Sequence, residues 1–299
     1  MDTPDLAALL PSWKLRMRAD RKSPQTIDSY TRSVRYYLEW CEAQGVVPVL
    51  DRTLLQRWII DLMDGGREPA TARIRQQSVR RFAAWLAEEG EIDADPFLGL
   101  QPPKLDTKVV HVLTEDDLKA MLKACAGKEL RDRRDEAMLR LLAETGLRAG
   151  ELLGLNTTDI DLGRGQATIR RGKGGRGRVV SVGAVTGAAV DRYLRVRRHH
   201  KLAGSAALWL AETGGRDRLS YHGLRVALLG RANAAGVEGF HLHKLRHTFA
   251  SRWLAGKGSE GGLMAAVGWS SRDMIDRYAR STASDRSMTE ARELGLGDL

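Results

Sequence analysis

Apolar residues recur at helical spacing along most of this chain, and the punctuation between them marks where helices start and stop. Ser23-Pro24 sets a cap residue before a proline at the first helical position. Ile27, Tyr30, Val34, Tyr37, Leu38 and Cys41 then share one face until Gly45 ends the run. Leu54–Met63 reads as a shorter helix. In Ala70–Glu89 the spacing turns Ile74, Val79, Phe82 and Leu86 inward and leaves Arg73, Arg75, Arg80 and Arg81 outside. From Asp95 the pattern changes. Pro96, Pro102 and Pro103 in DPFLGLQPPKLDTKVV forbid a continuous helix. Residues 101–112 are therefore expected to link a helical domain over 1–100 to a second domain over 113–299.

The second domain restarts helix in TEDDLKAML, with Thr114 and Asp117 as a short capping box. Asp135–Glu144 is a further helix, broken at Thr145-Gly146 and resumed near Gly150. QATIRRGKGGRGRVVSVG alternates apolar and polar positions around a glycine-rich centre, as a β-hairpin does, with Lys173 in or beside its turn. Helical spacing returns over Val185–His200, His222–Ala235, His243–Ala255 and Leu263–Val267. The expected fold is mainly α (α+β): an N-terminal helical bundle and a mostly helical C-terminal domain with a small antiparallel sheet.

Composition sharpens this picture. The 299 residues suffice for about two domains, each burying its own core. Lys and Arg total 48 against 38 acidic residues, and a net charge of +10 points to a polyanionic partner, nucleic acid ahead of a membrane surface. The sequence holds no run of about 18 apolar residues and no basic-then-apolar leader with a small-residue cleavage site, so a cytoplasmic protein without a membrane partner is expected. Cys41 and Cys125 stand apart in helix-like segments, as small buried hydrophobes do. The density of Arg73, Arg75, Arg80 and Arg81 suits phosphate contacts, and a solvated face is the plainer alternative.

Three of the seven histidines fall in FHLHKLRHTFA. His243 and His247, four apart, share a helical face, which raises zinc. But the glutamate of a zinc helix is missing, Lys244 and Arg246 stand between, and the sequence suggests no third ligand, so no metal is expected. The rival is a phosphate, faced by His243 and Arg246 three residues apart.

TGLRAGEL around Arg148, RRGKGGRGRVV around Lys173, HKLRH over His243–His247 and GWSSRDMIDRYAR over Gly268–Arg280 follow one another with family-like spacing. Together they resemble the tyrosine recombinase, or phage-type integrase, family, over about Thr114–Tyr278; the first domain resembles the family's helical core-DNA-binding domain more loosely. The resemblance implies that Arg148 and Arg246 hold the scissile phosphate, Lys173 is the hairpin lysine, His243 belongs to the H-x-x-R motif and Tyr278 is the nucleophile. Trp269 stands where most members have a second histidine, and Glu151 and His247 match supporting positions. Taken singly, Arg148 reads as a carbonyl cap, Lys173 as an exposed turn lysine, Trp269 as core packing and Tyr278 as a helix-surface tyrosine. Gly261-Gly262 depart from the bulkier residues usual there, from which local flexibility is expected.

The chemistry suits the assignment. Attack on a phosphodiester spreads negative charge over the non-bridging oxygens, which two planar guanidiniums meet better than lysines. A phenol with an ordinary pKa near ~10 needs a base or nearby cations to attack. No metal or nucleotide is required, so no cofactor is expected. The resemblance implies site-specific recombination or integration through a 3′-phosphotyrosyl intermediate, with each protomer clamping a half-site of double-stranded DNA and four protomers assembling on two sites. The chain starts almost at its first domain, so the simpler architecture of chromosome-dimer resolvases and small integrases is expected, without the arm-binding domain of some phage integrases. DNA relaxation of the type IB topoisomerase kind shares the chemistry, and a non-catalytic DNA-binding protein shares the charge. In the tail, Ser284 or Ser287 suits a helix cap, and Met288, Ala291 and Leu294 form a narrow apolar stripe. It either folds back on its own domain or, as the resemblance implies, docks on a neighbouring protomer.

Overall fold

The computed structural model describes residues 4–105, 111–170, 177–212, 215–269, 271, 272, 275, 291, 294 and 295. The protein is mainly α: eleven helices and one three-stranded antiparallel sheet among the described residues, in two units, Met1–Lys108 and Val109–Leu299.

The first unit contains α1 (Leu10–Ala19), α2 (Pro24–Ala43), α3 (Arg52–Asp64) and α4 (Pro69–Glu88). Ser23 Oγ accepts the Thr26 N–H at 3.1 Å, so α2 starts where the cap signal set it. The unit closes on an aromatic core: Trp13 of α1 meets Phe82 of α4 with ring centroids 5.0 Å apart, and Tyr37 of α2 meets Trp58 of α3 at 5.3 Å. The sequence pattern did not suggest α1; its buried Leu10, Trp13 and Met17 stand among basic and polar residues that dilute the signal.

One expectation for α4 is corrected. Ile74 is not inward but 47% exposed, because the helix buries the face through Ala72, Gln76, Val79 and Ala83, and Ile74 falls on the side of Arg73, Gln77 and Arg81. Arg73 and Arg81 are exposed there. Arg80 is half-buried, and Arg75 lies over the Tyr36 ring, 4.7 Å from its centroid.

The second unit contains α5 (Glu115–Lys123), α6 (Leu130–Thr145), α7 (Ala149–Gly154), β1 (Ile160–Asp161), β2 (Gln166–Ile169), β3 (Arg178–Ser181), α8 (Ala184–Arg197), α9 (Tyr221–Ala234), α10 (Leu242–Ala255) and α11 (Glu260–Val267). The capping box on α5 is complete: Thr114 Oγ1 accepts the Asp117 N–H at 3.0 Å and Asp117 accepts the Thr114 N–H at 2.9 Å. The expected hairpin is β2–β3, paired from Gln166↔Ser181 to Ile169↔Arg178, and β1 adds a third strand on the other edge of β2. The core gathers on α6, whose Ala137, Met138, Leu139, Leu141 and Leu142 are buried. Burial pushes the Cys125 thiol up to about 12 and raises that of Cys41 too, as inert core cysteines behave.

Two local packings fix α10 against its neighbours. Leu113 donates its N–H to Thr248 Oγ1 at 2.9 Å, anchoring the start of this unit to α10. At the start of α11, a Cβ on Gly262 would come within 3.0 Å of the Trp253 ring, while one on Gly261 would meet open space. The departure at Gly262 therefore makes room for a tryptophan.

Candidate active site

The site is built on the turn between α6 and α7. Gly146 ends α6 in the left-handed region (φ 61°), and a Cβ there would lie 2.4 Å from the Phe249 ring, so this position requires glycine. The turn aims the Gly146 carbonyl at α10, where it accepts Arg246 Nη1 at 2.7 Å. Two residues on, Arg148 is the N-cap of α7, and Glu151 folds back to accept its N–H at 2.9 Å and its Nη1 at 2.9 Å. Thr145-Gly146-Leu147-Arg148 thus bends the chain once and delivers one cation while receiving another.

The second anchor is the carbonyl end of α11. The last carbonyls of a helix lack internal partners and carry its partial negative charge. Here three consecutive ones are met by three different arginines: Ala266 O accepts Arg178 Nε at 2.9 Å, Val267 O accepts Arg246 Nη2 at 2.7 Å, and Gly268 O accepts Arg148 Nη2 at 3.4 Å. Arg148 and Arg246 are thereby brought together on neighbouring carbonyls. Arg246 is 3% exposed and lies 5.5 Å from the centroid of the half-buried Trp269 ring, so Trp269 both packs and borders the cations.

Glu151 keeps the cations in balance. Its side chain is 4% exposed, and both oxygens also accept the Arg178 fork, Nη1 at 2.9 Å and Nη2 at 2.8 Å. Burial by itself would raise its pKa. The hydrogen bonds from Arg178 and from the Arg148 backbone, with the charges of both arginines, outweigh burial and hold the carboxyl below its usual range.

On α10 the two histidines share a face as their spacing required: His243 is exposed, His247 half-buried, and their rings meet edge-on with centroids 4.4 Å apart. Among the described residues no three His, Cys, Asp or Glu side chains are grouped to hold a metal ion. Lys173 and Tyr278 lie outside the described residues, as does most of the tail. Sequence reasoning missed Arg178; in RGKGGRGRVV it is one of four basic residues, and its only distinguishing mark is its place at the start of the apolar alternation.

Fixed guanidiniums, one of them on the helix that also carries the imidazole pair, are suited to hold an anion such as a phosphodiester and to stabilise charge that grows on it. Comparison with known proteins agrees with that chemistry. The family description "Phage integrase family" matches residues 111–285. A tyrosine recombinase XerC of Pseudomonas fluorescens is 32% identical over 241 residues, covering 80% of this chain and 79% of that protein. Among solved structures, the XerH site-specific recombinase bound to a palindromic difH substrate in a post-cleavage complex superposes with a TM-score of 0.72 at 19% identity, over 89% of this chain and 79% of that one. A lambda integrase tetramer bound to a Holliday junction superposes with a TM-score of 0.69 at 16% identity, over 93% and 78%. These two share its fold.

Proposed function

This chain belongs to the phage integrase family of tyrosine recombinases, and from that premise we propose how its residues divide the work. The enzyme is a site-specific recombinase that cuts and rejoins DNA. In the proposed reaction the Tyr278 oxygen attacks the scissile phosphorus, the bond to the 5′ oxygen breaks, and a 3′-phosphotyrosyl link forms. The freed 5′ hydroxyl of a partner strand then attacks that link and releases the tyrosine, so the phosphodiester energy is conserved through the exchange.

Arg148 and Arg246 hold the non-bridging oxygens and take up the charge that develops on them. His243 accepts the tyrosine proton or donates to the phosphate, and Lys173 protonates the leaving 5′ oxygen. Trp269 contributes only an N–H donor, since indole cannot shuttle a proton. Glu151 and His247 support the cations without touching DNA. The observation that supports this reading most is the pair of guanidiniums already fixed on the consecutive carbonyls of Val267 and Gly268, immediately before Trp269. In the same reading the arginines of α4 contact backbone phosphates, the first domain grips the core of the site, and four protomers join on two DNA sites through the C-terminal tail. Work on DNA without a membrane step puts the enzyme in the cytoplasm.

A nicked suicide substrate, from which the short fragment diffuses away after cleavage, tests the proposal. Covalent protein–DNA complex should accumulate, and peptide mapping should find the nucleotide on Tyr278; an adduct on another residue would overturn the assignment. Two linear sites should give recombinant products, whereas relaxation of supercoils without exchange would favour the topoisomerase reading.

A further inference from the structure

Arg178 begins β3, the strand that leads out of the segment carrying Lys173, and the proposed reaction gives it nothing to do. Yet its guanidinium is committed on two sides. The fork grips both oxygens of Glu151 at 2.9 and 2.8 Å, and Nε reaches the Ala266 carbonyl at 2.9 Å. The side chain is only 13% exposed. A Cβ on Gly268 would approach Arg178 Nη1 to 3.2 Å and Arg148 Nη1 to 3.8 Å, so the two guanidiniums flank one glycine.

We infer that Arg178 is a positioning residue for Arg148: its fork aims Glu151 at Arg148, and its Nε ties the strand behind Lys173 to the carbonyl end of α11. The inference rests on the reading of Arg148 as a phosphate-binding cation.

Without Arg178, the buried Glu151 keeps one charged partner, Arg148, whose side chain is 27% exposed. Burial then favours the neutral acid. A protonated Glu151 has lost its charge and put a hydrogen on one oxygen, where an Arg148 N–H now needs an acceptor. Arg148 is left with its longer bond to Gly268 O, 3.4 Å, and turns toward solvent. Among the described residues, the charged groups bonded to Glu151 are Arg148 at the start of α7 and Arg178 on β3; Glu144 at the end of α6 is engaged by the Gly183 N–H at 2.6 Å. The end of α11 presents backbone carbonyls, and α9 adds the buried Leu224 and Leu228 to the shared core.

The test measures single-turnover cleavage of a suicide substrate, at saturating protein, from neutral into acid pH. Arg178→Gln should bind the half-site as the wild type does and cleave about 100-fold more slowly, the cost of a misplaced catalytic group. It should slow further, relative to wild type, as the pH falls. Arg178→Lys, which keeps the charge without the fork, should stay slow but recover the wild-type pH dependence. The double variant E151Q/R178Q should lack the extra acid loss, because the titrating carboxyl is gone. A wild-type rate in R178Q, a rate ratio that does not change with pH, or acid loss that persists in the double variant would each overturn the inference. If R178Q lacks the cooperative thermal transition of the wild type, R178K carries the comparison, and a wild-type cleavage rate in it overturns the inference. Failure of the underlying reading would show elsewhere, as wild-type cleavage in Arg148→Ala whatever stands at 178.

Discussion

The two units use arginine in opposite ways. On α4 the side chains of Arg73 and Arg81 stand in solvent on a helix face, beside the exposed Ile74. At the end of α11, Arg148, Arg178 and Arg246 are pinned to three consecutive carbonyls, and each is also tied to Glu151 or to the Gly146 turn. A helix face displays long side chains but does not fix their ends. A helix terminus offers acceptors in a rigid array and a partial negative charge that offsets the cations. Mobile charges suit a uniform polyanion, where attraction needs no exact geometry. Fixed ones suit a transition state, where donors must already stand in place. Arginine count therefore says little about role, and the groups to which each guanidinium is tied say much.

The comparison can be broken most severely at the nucleophile. Tyr278→Phe should bind DNA normally and form no covalent complex in a denaturing gel, since only the phenol oxygen is removed; persistent adduct would detach the pinned arginines from the chemistry assigned to them. Arg148→Ala and Arg246→Ala should each slow single-turnover cleavage by about 10²–10³ while half-site affinity changes far less. Arg246→Lys, which retains a cation but not two anchored donors, separates charge from geometry; full activity in it would argue that pinning is unnecessary. Arg73→Ala and Arg81→Ala should do the reverse. Binding weakens, and the slope of log affinity against log salt falls by about one for each phosphate no longer neutralised, with cleavage at saturation unchanged. An unaltered salt slope would leave α4 a merely solvated face.

The smallest effect concerns acid stability. Glu151 has a lowered pKa in the folded protein, so its ionisation stabilises the fold at pH values above the ordinary glutamate range. That contribution is lost as the pH falls through the folded value. Glu151→Gln should therefore melt a few degrees lower at neutral pH, roughly as expected for a loss of about 1–2 kcal/mol in a domain of this size. The gap to wild type should narrow in acid. A gap that widened on acidification would contradict the lowered pKa.

Much of this architecture was legible because it is written locally. Ser23, Thr114 and Gly146 act within four residues of where they stand, and their helices begin or end accordingly. The β2–β3 pairing followed from alternation over a short span. What escaped has other causes. The hydrophobic spacing of α4 is ambiguous by one or two positions, and the small Ala72 and Ala83 took the inward face instead of Ile74. The reason for Gly262 is a tryptophan nine residues earlier. The arginine pair of the site was named from motifs, but its anchoring rests on contacts 100 and 120 residues apart in sequence, and that of Arg178 on one 88 apart. No local pattern encodes those partners.

The position of the three acceptor carbonyls late in the chain also sets the order in which this enzyme comes into being. Arg148, Arg178 and Arg246 all leave the ribosome before Ala266, Val267 and Gly268, so a nascent chain that already has Glu151 and the Gly146 carbonyl still lacks the second set of acceptors for its cations. Gly268 and Arg148 are 120 residues apart in sequence, and the bond of Arg246 to the Gly146 carbonyl already spans 100 residues. The α11 acceptors thus join the other anchors of the three guanidiniums only once residue 268 has been made, and a shorter chain carries the charge that attracts DNA without the full set of groups that fixes its arginines.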